Sequence, residues 1–302
     1  MKKLKTAILS ILFLLTALSL NVFAEPEQTV QKTFEKLKEV RLKLALGDCR
    51  IEASLDGKIH VDLAYSYEKG SFEPIMEERG QRVTLEEKFH EDNPRGYSRW
   101  TLAVPEGTEI DFRSGTGDLF INGLTVDARG STGTGDIEVQ KAKGEFSLSS
   151  GTGNVDVTDT EGEFEVSSGT GRVSIRSSKG TIEASSGTGD VEAEDITLID
   201  EGKFSSGTGD VEVVLPNGEG FELNVSSGTN YAVVKLNGRP AQGYFEFTAQ
   251  AKRGRIVSAE SYDKQDEYRE HDTLYLRKSF TRGKDTPKVY IRTGTGKAEL
   301  KK

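Results

Sequence analysis

Hydrophobic and polar positions alternate along most of this chain, and the alternation itself recurs every eighteen residues. In the unit Gly144–Glu161, Phe146 and Leu148 alternate with Ser147 and Ser149. After Gly151-Thr152-Gly153 the alternation resumes as Val155 and Val157 against Asn154 and Asp156. A period of two is the signature of a strand with one buried face. The apolar positions switch from even to odd across the glycine turn, so the turn keeps one face inward. Each unit therefore predicts a strand, a glycine corner, a second strand and a second corner.

Copies of a Ser-Gly-Thr-Gly-Asp-like corner motif have their first glycines at Gly115, Gly133, Gly151, Gly169 and Gly187, and later at Gly207, Gly228 and Gly294. When the units are aligned, columns of like residues appear. Ile110, Ala128, Phe146, Phe164 and Ile182 form one, and Leu119, Ile137, Val155, Val173 and Val191 a second. Ile121, Val139, Val157, Ile175 and Ala193 form a third, and Thr116, Thr134, Thr152, Thr170 and Thr188 an unbroken threonine column. Parallel in-register strands would set each residue on its copy about 4.8 Å away, which suits β-branched side chains and hydroxyl ladders. The pattern predicts an all-β fold: a parallel β-solenoid, or β-helix, of about 18 residues per coil with irregular end caps. A meander of repeated hairpins shares the period but would not place equivalent residues in contact, and the identical threonines favour the solenoid. Gly144, Gly162 and Gly180 mark the second corner.

The flanks are less regular. Leu44–Ile51 echoes the corner pattern, with Gly47 and Asp48 matching Gly117 and Asp118. That alignment puts Cys49, the single cysteine, on the inward column of Leu119, as a small buried apolar residue. Strands are expected around Ile59–Leu63, Arg82–Phe89 and Trp100–Val104, with Tyr67–Pro94 otherwise irregular and a short helix within Gln31–Val40. Further strands are expected at Tyr231–Leu236, Tyr244–Ala249, Arg255–Ala259 and Thr273–Leu276. Tyr262–Glu270 reads as a charged insertion, and Val289–Leu300 as a last copy of the motif. The resulting division is residues 1–24 signal peptide, 25–109 N-terminal cap and first coils, 110–230 regular repeats, and 231–302 C-terminal coils and cap.

The N-terminus changes the picture. Lys2, Lys3 and Lys5 precede an apolar run from Ala7 to Leu20, and Val22-Phe23-Ala24 supplies a cleavage signal. This predicts an exported protein, periplasmic, surface-bound or released, with no membrane span after cleavage. The chain carries 40 basic and 49 acidic residues. A chain starting after Ala24 has 37 against 49, a net charge of −12. That balance argues against nucleic acid and anionic lipid as partners. A lone cysteine leaves no intramolecular disulfide.

Candidate chemistry is sparse. Asp118, Asp136, Asp190 and Asp210 share one turn column and are the calcium candidates, although Asn154 and Arg172 interrupt them and aspartate also caps turns. Glu138, Asp156, Glu192 and Glu212 face outward without marking a unique pair for glycoside cleavage. His60, His90 and His271 lack metal spacing. Gly294-Thr-Gly-Lys297 is the last repeat rather than a phosphate loop. The threonine column, at a corner or inward, does not suit ice binding. No cofactor is expected. Val173→Asp is expected to be severely destabilising, and Ser174→Asp, one position away, mild.

The repeated Ser-Ser-Gly-Thr-Gly-Asp-Val-Glu-Val pattern, the Val104-Pro105 strand end and the closing Thr293–Leu300 segment resemble the bacterial putative-adhesin family of β-strand-repeat proteins, a domain family of unknown function. The likeness covers most of residues 40–300. It implies a cell-envelope or secreted repeat protein, with adhesion as the suspected role and relatives near envelope-stress regulation. It supplies no catalytic residues. The expectation is a non-enzymatic exported module that meets a glycan, a matrix component or another envelope protein. The rival readings are a periplasmic scaffold or regulatory partner in envelope stress, and a carbohydrate-active β-helix enzyme.

Overall fold

A computed structural model describes residues 27–302. The signal-peptide segment and its cleavage point lie outside the described residues. No helix occurs among the described residues. The N-terminal strands are β1 (Gln28–Phe34), β2 (Glu39–Leu44), β3 (Asp48–Ala53), β4 (Ile59–Tyr65), β5 (Phe72–Arg79), β6 (Arg82–Phe89) and β7 (Ser98–Val104). Seven coils follow, each a longer strand and then a four-residue strand. They are β8 (Thr108–Ser114) with β9 (Leu119–Asn122), β10 (Val126–Thr132) with β11 (Ile137–Gln140), and β12 (Lys143–Ser150) with β13 (Val155–Thr158). The next are β14 (Glu161–Ser168) with β15 (Val173–Arg176) and β16 (Lys179–Ser186) with β17 (Val191–Glu194). The last two are β18 (Thr197–Ser206) with β19 (Val211–Val214), and β20 (Glu222–Ser227) with β21 (Ala232–Lys235). The C-terminal strands are β22 (Gly243–Gln250), β23 (Arg255–Ser258), β24 (Lys264–Glu270), β25 (Thr273–Arg282), β26 (Lys288–Thr293) and β27 (Lys297–Lys301).

These strands form two facing sheets. Sheet A has 13 strands in the order β1-β4-β7-β3-β9-β11-β13-β15-β17-β19-β21-β27-β23. Sheet B has 14, in the order β24-β25-β22-β26-β20-β18-β16-β14-β12-β10-β8-β2-β6-β5. Pairing is parallel through the regular coils, and the expected columns are in register. Val155 faces Val173 and Val173 faces Val191 across adjacent strands. Phe146 pairs with Phe164, their rings stacked at 5.7 Å. All of these side chains are buried. Each contributes roughly 1.5–3 kcal/mol by leaving water, and together they fill the narrow core of a β-solenoid.

The order of coils departs from the order of the chain at both ends. β2 and β3 form a coil, yet β6 and β7 lie outside it, and the chain then steps back over β2 and β3 to begin β8. At the other end β22 and β23 overshoot by one place, and β26 and β27 return to fill the gap beside β20 and β21. This explains the long final step between motif copies. Gly294 sits directly on Gly228, and its amide bonds to the Ser227 carbonyl at 3.1 Å. Cys49 occupies the inward column next to Leu119, as its alignment predicts, and is buried.

Several flank expectations are corrected. Gln31–Val40 holds no helix; it spans the end of β1, a short connection and the start of β2. β1 pairs antiparallel with β4, and the amides of Lys38 and Glu39 both reach the Gln81 carbonyl. These ladder bonds override the helix propensity of a Lys/Glu/Leu-rich stretch. Tyr67–Pro94 contains a regular hairpin of β5 and β6 rather than one isolated strand. The charged insertion at Tyr262–Glu270 is largely strand β24, with Asp266 opposite Arg277 and Tyr268 opposite Tyr275 on β25. Ser174 points outward by parity but is only 1% exposed, and its hydroxyl has no partner. It sits between Asp156 and Glu192, with Arg176 reaching Asp156 at 3.9 Å and Glu192 at 3.7 Å.

Candidate binding face on sheet B

Each residue of the corner motif has a structural duty. The second serine points inward: Ser150 Oγ donates to the Gly135 carbonyl of the preceding coil at 2.7 Å and accepts from the Gly153 amide at 2.9 Å. Ser168, Ser186 and Ser206 repeat this pair of bonds. The threonines are exposed at the corner, and Thr208 and Thr229 each donate to the threonine carbonyl one coil back at 3.3 Å. The second glycine is needed because coils touch there: a Cβ on Gly135 would lie 2.1 Å from the Gly117 carbonyl oxygen.

The calcium candidates are distributed along this corner, one per coil. Asp118 Oδ1 accepts the Asp136 amide at 2.7 Å, and Asp136 Oδ1 accepts the Asn154 amide at 2.6 Å. Asp190 Oδ1 accepts the Asp210 amide at 2.8 Å, and Asp210 Oδ1 accepts the Tyr231 amide at 3.0 Å. Asn154 continues the ladder to the Arg172 amide at 2.9 Å. One carboxylate oxygen of each aspartate is thus committed to the next coil's backbone. Among the described residues no group of three or more His, Cys, Asp or Glu side chains is disposed to hold a metal.

The other predicted groups stay apart. Glu138, Asp156, Glu192 and Glu212 lie on the outer face of sheet A, where Arg176 and Lys235 neutralise their neighbours. His60 bonds Asp56 at 2.9 Å, His90 bonds Glu73 at 3.2 Å, and His271 lies in the turn between β24 and β25. Burial, then the nearby Asp48 and Glu87 charges, push the Cys49 thiol far above its ordinary value, which disfavours the thiolate.

The chemically distinctive surface was not anticipated from the sequence. It is the outer face of sheet B at its C-terminal end, where four of the nine tyrosines gather. The rings of Tyr268 and Tyr275 stack at 5.6 Å, and those of Tyr244 and Tyr290 meet edge-on at 6.0 Å. Arg277 lies 5.3 Å from the Tyr268 ring and Arg292 lies 5.0 Å from the Tyr275 ring. Asp266 holds Arg277 through two bonds, at 3.0 and 2.5 Å, and Glu270 holds Arg292 at 2.7 Å. All four tyrosines are partly exposed. Burial, and then a 2.6 Å bond to Glu246, pushes the Tyr244 hydroxyl up to about 12. Burial also raises Tyr290. The bond from Arg277 keeps Asp266 below the usual carboxylate range. Tyr244 and Tyr290 are therefore protonated at neutral pH, beside two arginines that are each paired with a carboxylate.

The sequence signal for this cluster was the alternation of Tyr244-Phe245-Glu246-Phe247, of Leu274-Tyr275-Leu276-Arg277 and of Val289-Tyr290-Ile291-Arg292. It marks which side chains share a face of one strand, not which strands become neighbours. That neighbourhood depends on β26 entering between β20 and β22.

Solved structures similar to the chain include a "putative lipid binding protein" from Parabacteroides distasonis, 10% identical, with a TM-score of 0.41, covering 91% of this chain and 96% of that one. Another is a "putative adhesin" from Bacteroides fragilis, 13% identical, with a TM-score of 0.39, covering 91% and 96%. A third is a "putative cell adhesion protein" from Clostridium sporogenes, 14% identical, with a TM-score of 0.31, covering 91% and 99%. No curated protein matches the chain. A family model, Toastrack DUF4097, matches residues 37–260, which span the first coils, the whole regular array and β22 and β23. The corner motif and the stacked two-sheet coils agree with that match, and the chain belongs to the Toastrack DUF4097 family.

Proposed function

We propose that this protein is an exported, non-enzymatic binding module of the cell envelope, and that it meets its partner through the tyrosine–arginine face of sheet B. The observation that carries the reading is the clustering of Tyr244, Tyr268, Tyr275 and Tyr290 with two clamped arginines on one face of sheet B. Tyrosine and arginine bury large area with few rotatable bonds and dominate recognition energetics. Strands hold them rigidly, which lowers the ordering cost of binding. The turn aspartates are engaged by coil-to-coil bonds, and Asp156, Glu192 and Glu212 by ion pairs with Arg176 and Lys235. The names of the similar structures, an adhesin and a cell adhesion protein among them, fit an adhesive role for this chain.

The test is attachment. The full chain is expressed in its own host, purified and applied to intact cells and to isolated envelope. Saturable attachment is expected, reduced about tenfold in a Tyr275→Ala/Tyr290→Ala variant whose melting temperature is unchanged. Attachment that ignores both substitutions counts against this face. Turnover of a polysaccharide, lost on removing one acid, counts against a non-enzymatic role.

A further inference from the structure

We infer that the outer face of sheet B from β20 to β24 binds a neutral, linear pyranose glycan lying along the rod. The inference rests on the binding-module reading and names its ligand. The outward positions of β20, β26, β22, β25 and β24 carry no Leu, Ile, Val, Met or Phe. A protein partner would find no aliphatic anchor and many charges where an interface core excludes them. The carbon-rich surface on offer is tyrosine: Tyr275 is stacked on Tyr268 and lies under Arg292, so a sugar meets ring edge, guanidinium and phenol hydroxyl together, which suits its C–H groups and hydroxyl rim.

The charges also select against an anionic polymer. Arg277 is paired with Asp266 and Arg292 with Glu270, so neither guanidinium is a free cation. Each pairing leaves other N–H donors of the planar fork to reach vicinal hydroxyls. The chain's net charge of −9 opposes polyanions over longer distances.

A hydroxyl track leads into the face. Ser185, Ser205, Ser226 and Arg292 are successive register partners on β16, β18, β20 and β26. They advance about 4.8 Å per strand, close to the rise of one pyranose unit in an extended glycan. A glycan along the rod would meet one side-chain hydroxyl per sugar, then Arg292 and the ring of Tyr275 beneath it.

The experiment is calorimetric titration of the full chain with cellohexaose, chitohexaose and maltohexaose, with hexagalacturonate as the anionic comparison, at physiological salt. Saturable binding of at least one neutral hexasaccharide is expected, weakened about tenfold by Tyr275→Ala and by Tyr290→Ala. Tyr275→Phe should retain most of the affinity, and should keep the test decisive if an alanine variant misfolds. Ser226→Ala should weaken binding less than either tyrosine change. No binding of any neutral probe, binding of the anionic probe alone, or binding indifferent to the tyrosines overturns the inference. Tyrosine-dependent attachment to cells without glycan binding would sink the glycan and spare the binding module. Loss of tyrosine dependence in attachment would sink the binding module itself.

Discussion

At the scale of single residues, stacking decides what each position tolerates. Val173 is fully buried between Val155 and Val191, so Val173→Asp strands a charge in mid-core. A loss of about 4 kcal/mol or more is expected in denaturant melts. Ser174→Asp is no longer the mild control that parity implies. It places a carboxylate between Asp156 and Glu192 with Arg176 as the nearest counter-charge, and a loss of about 1–3 kcal/mol is expected. Equal losses for the two variants would contradict the inward and outward assignment. A second contrast separates two kinds of glycine. Gly135→Ala drives a Cβ into the Gly117 carbonyl and should lower the melting temperature sharply. Gly123 has a left-handed φ of 72° with open space around it, and Lys141, Asp159, Ser177 and Asp195 adopt the same conformation in later coils. Gly123→Asp should therefore cost no more than about 1–2 kcal/mol. If Gly135→Ala proved the milder of the two, close coil contact would not be the constraint at that corner.

At the scale of the element, the question is how a coil ends. Within the array the first glycine amide of each corner donates to the coil before it, as Gly133 does to Ser114 and Gly151 to Thr132. The corner at Ala45–Gly47 has β6 and β7 behind it, joined by the long connection 90–97 rather than by a copy of the corner. Glu87, on β6, fills the place: its Oε2 accepts the amides of Ala45, Leu46 and Gly47 at 2.8, 3.0 and 3.1 Å. Its Oε1 accepts the Trp100 indole at 2.9 Å and the Ser98 hydroxyl. A buried carboxylate is tolerated because five donors surround it, much as a side chain caps the orphan amides of a helix. Glu87→Gln would turn an N–H₂ group toward donors on one side or the other. A loss of about 1–3 kcal/mol for each donor left unmatched is expected, read as a lower denaturation midpoint. A midpoint equal to that of the parent chain would show that the corner closes without the charge. The far end is closed differently, by Tyr262 against Phe247 and Phe280 and by Arg282 bound to the Ser261 carbonyl and Asp263.

At the scale of the whole molecule, exposed carboxylates set the acid limit. Asp56 is lowered to about 2 by its bond from His60. Glu73, Glu161 and Asp266 are lowered by Lys88, Lys143 and Arg277, and Asp263 by the Thr281 amide. A carboxylate whose folded value lies below its unfolded one stabilises the fold above the unfolded value, near 4. That contribution is lost as pH falls through the folded value. The melting temperature should be level from neutral pH down to about 5 and fall below about 4, toward 2. Circular dichroism melts across that range check this; a decline beginning near pH 6 would point to histidine instead. The hydroxyls of Tyr244 and Tyr290 are both raised, chiefly by burial, and stay protonated across this range.

The regular array was legible because its physics is local and periodic. Alternation marks the buried face, an eighteen-residue repeat marks the coil, and identical residues mark the register. Columns such as Leu119–Ile137–Val155–Val173–Val191 needed no coordinates to be drawn. Even Cys49 could be placed, because its neighbours Gly47 and Asp48 repeat the corner. What tertiary structure alone decided lies where the period breaks. Strand β26 enters between β20 and β22, and β6 stacks outside β2, through pairings separated by dozens of residues. Backbone hydrogen bonds between strands carry no sequence label of their own, so these neighbours are chosen by the closing of the two ends. The cap at Glu87 and the gathering of four tyrosines on one face both follow from those choices.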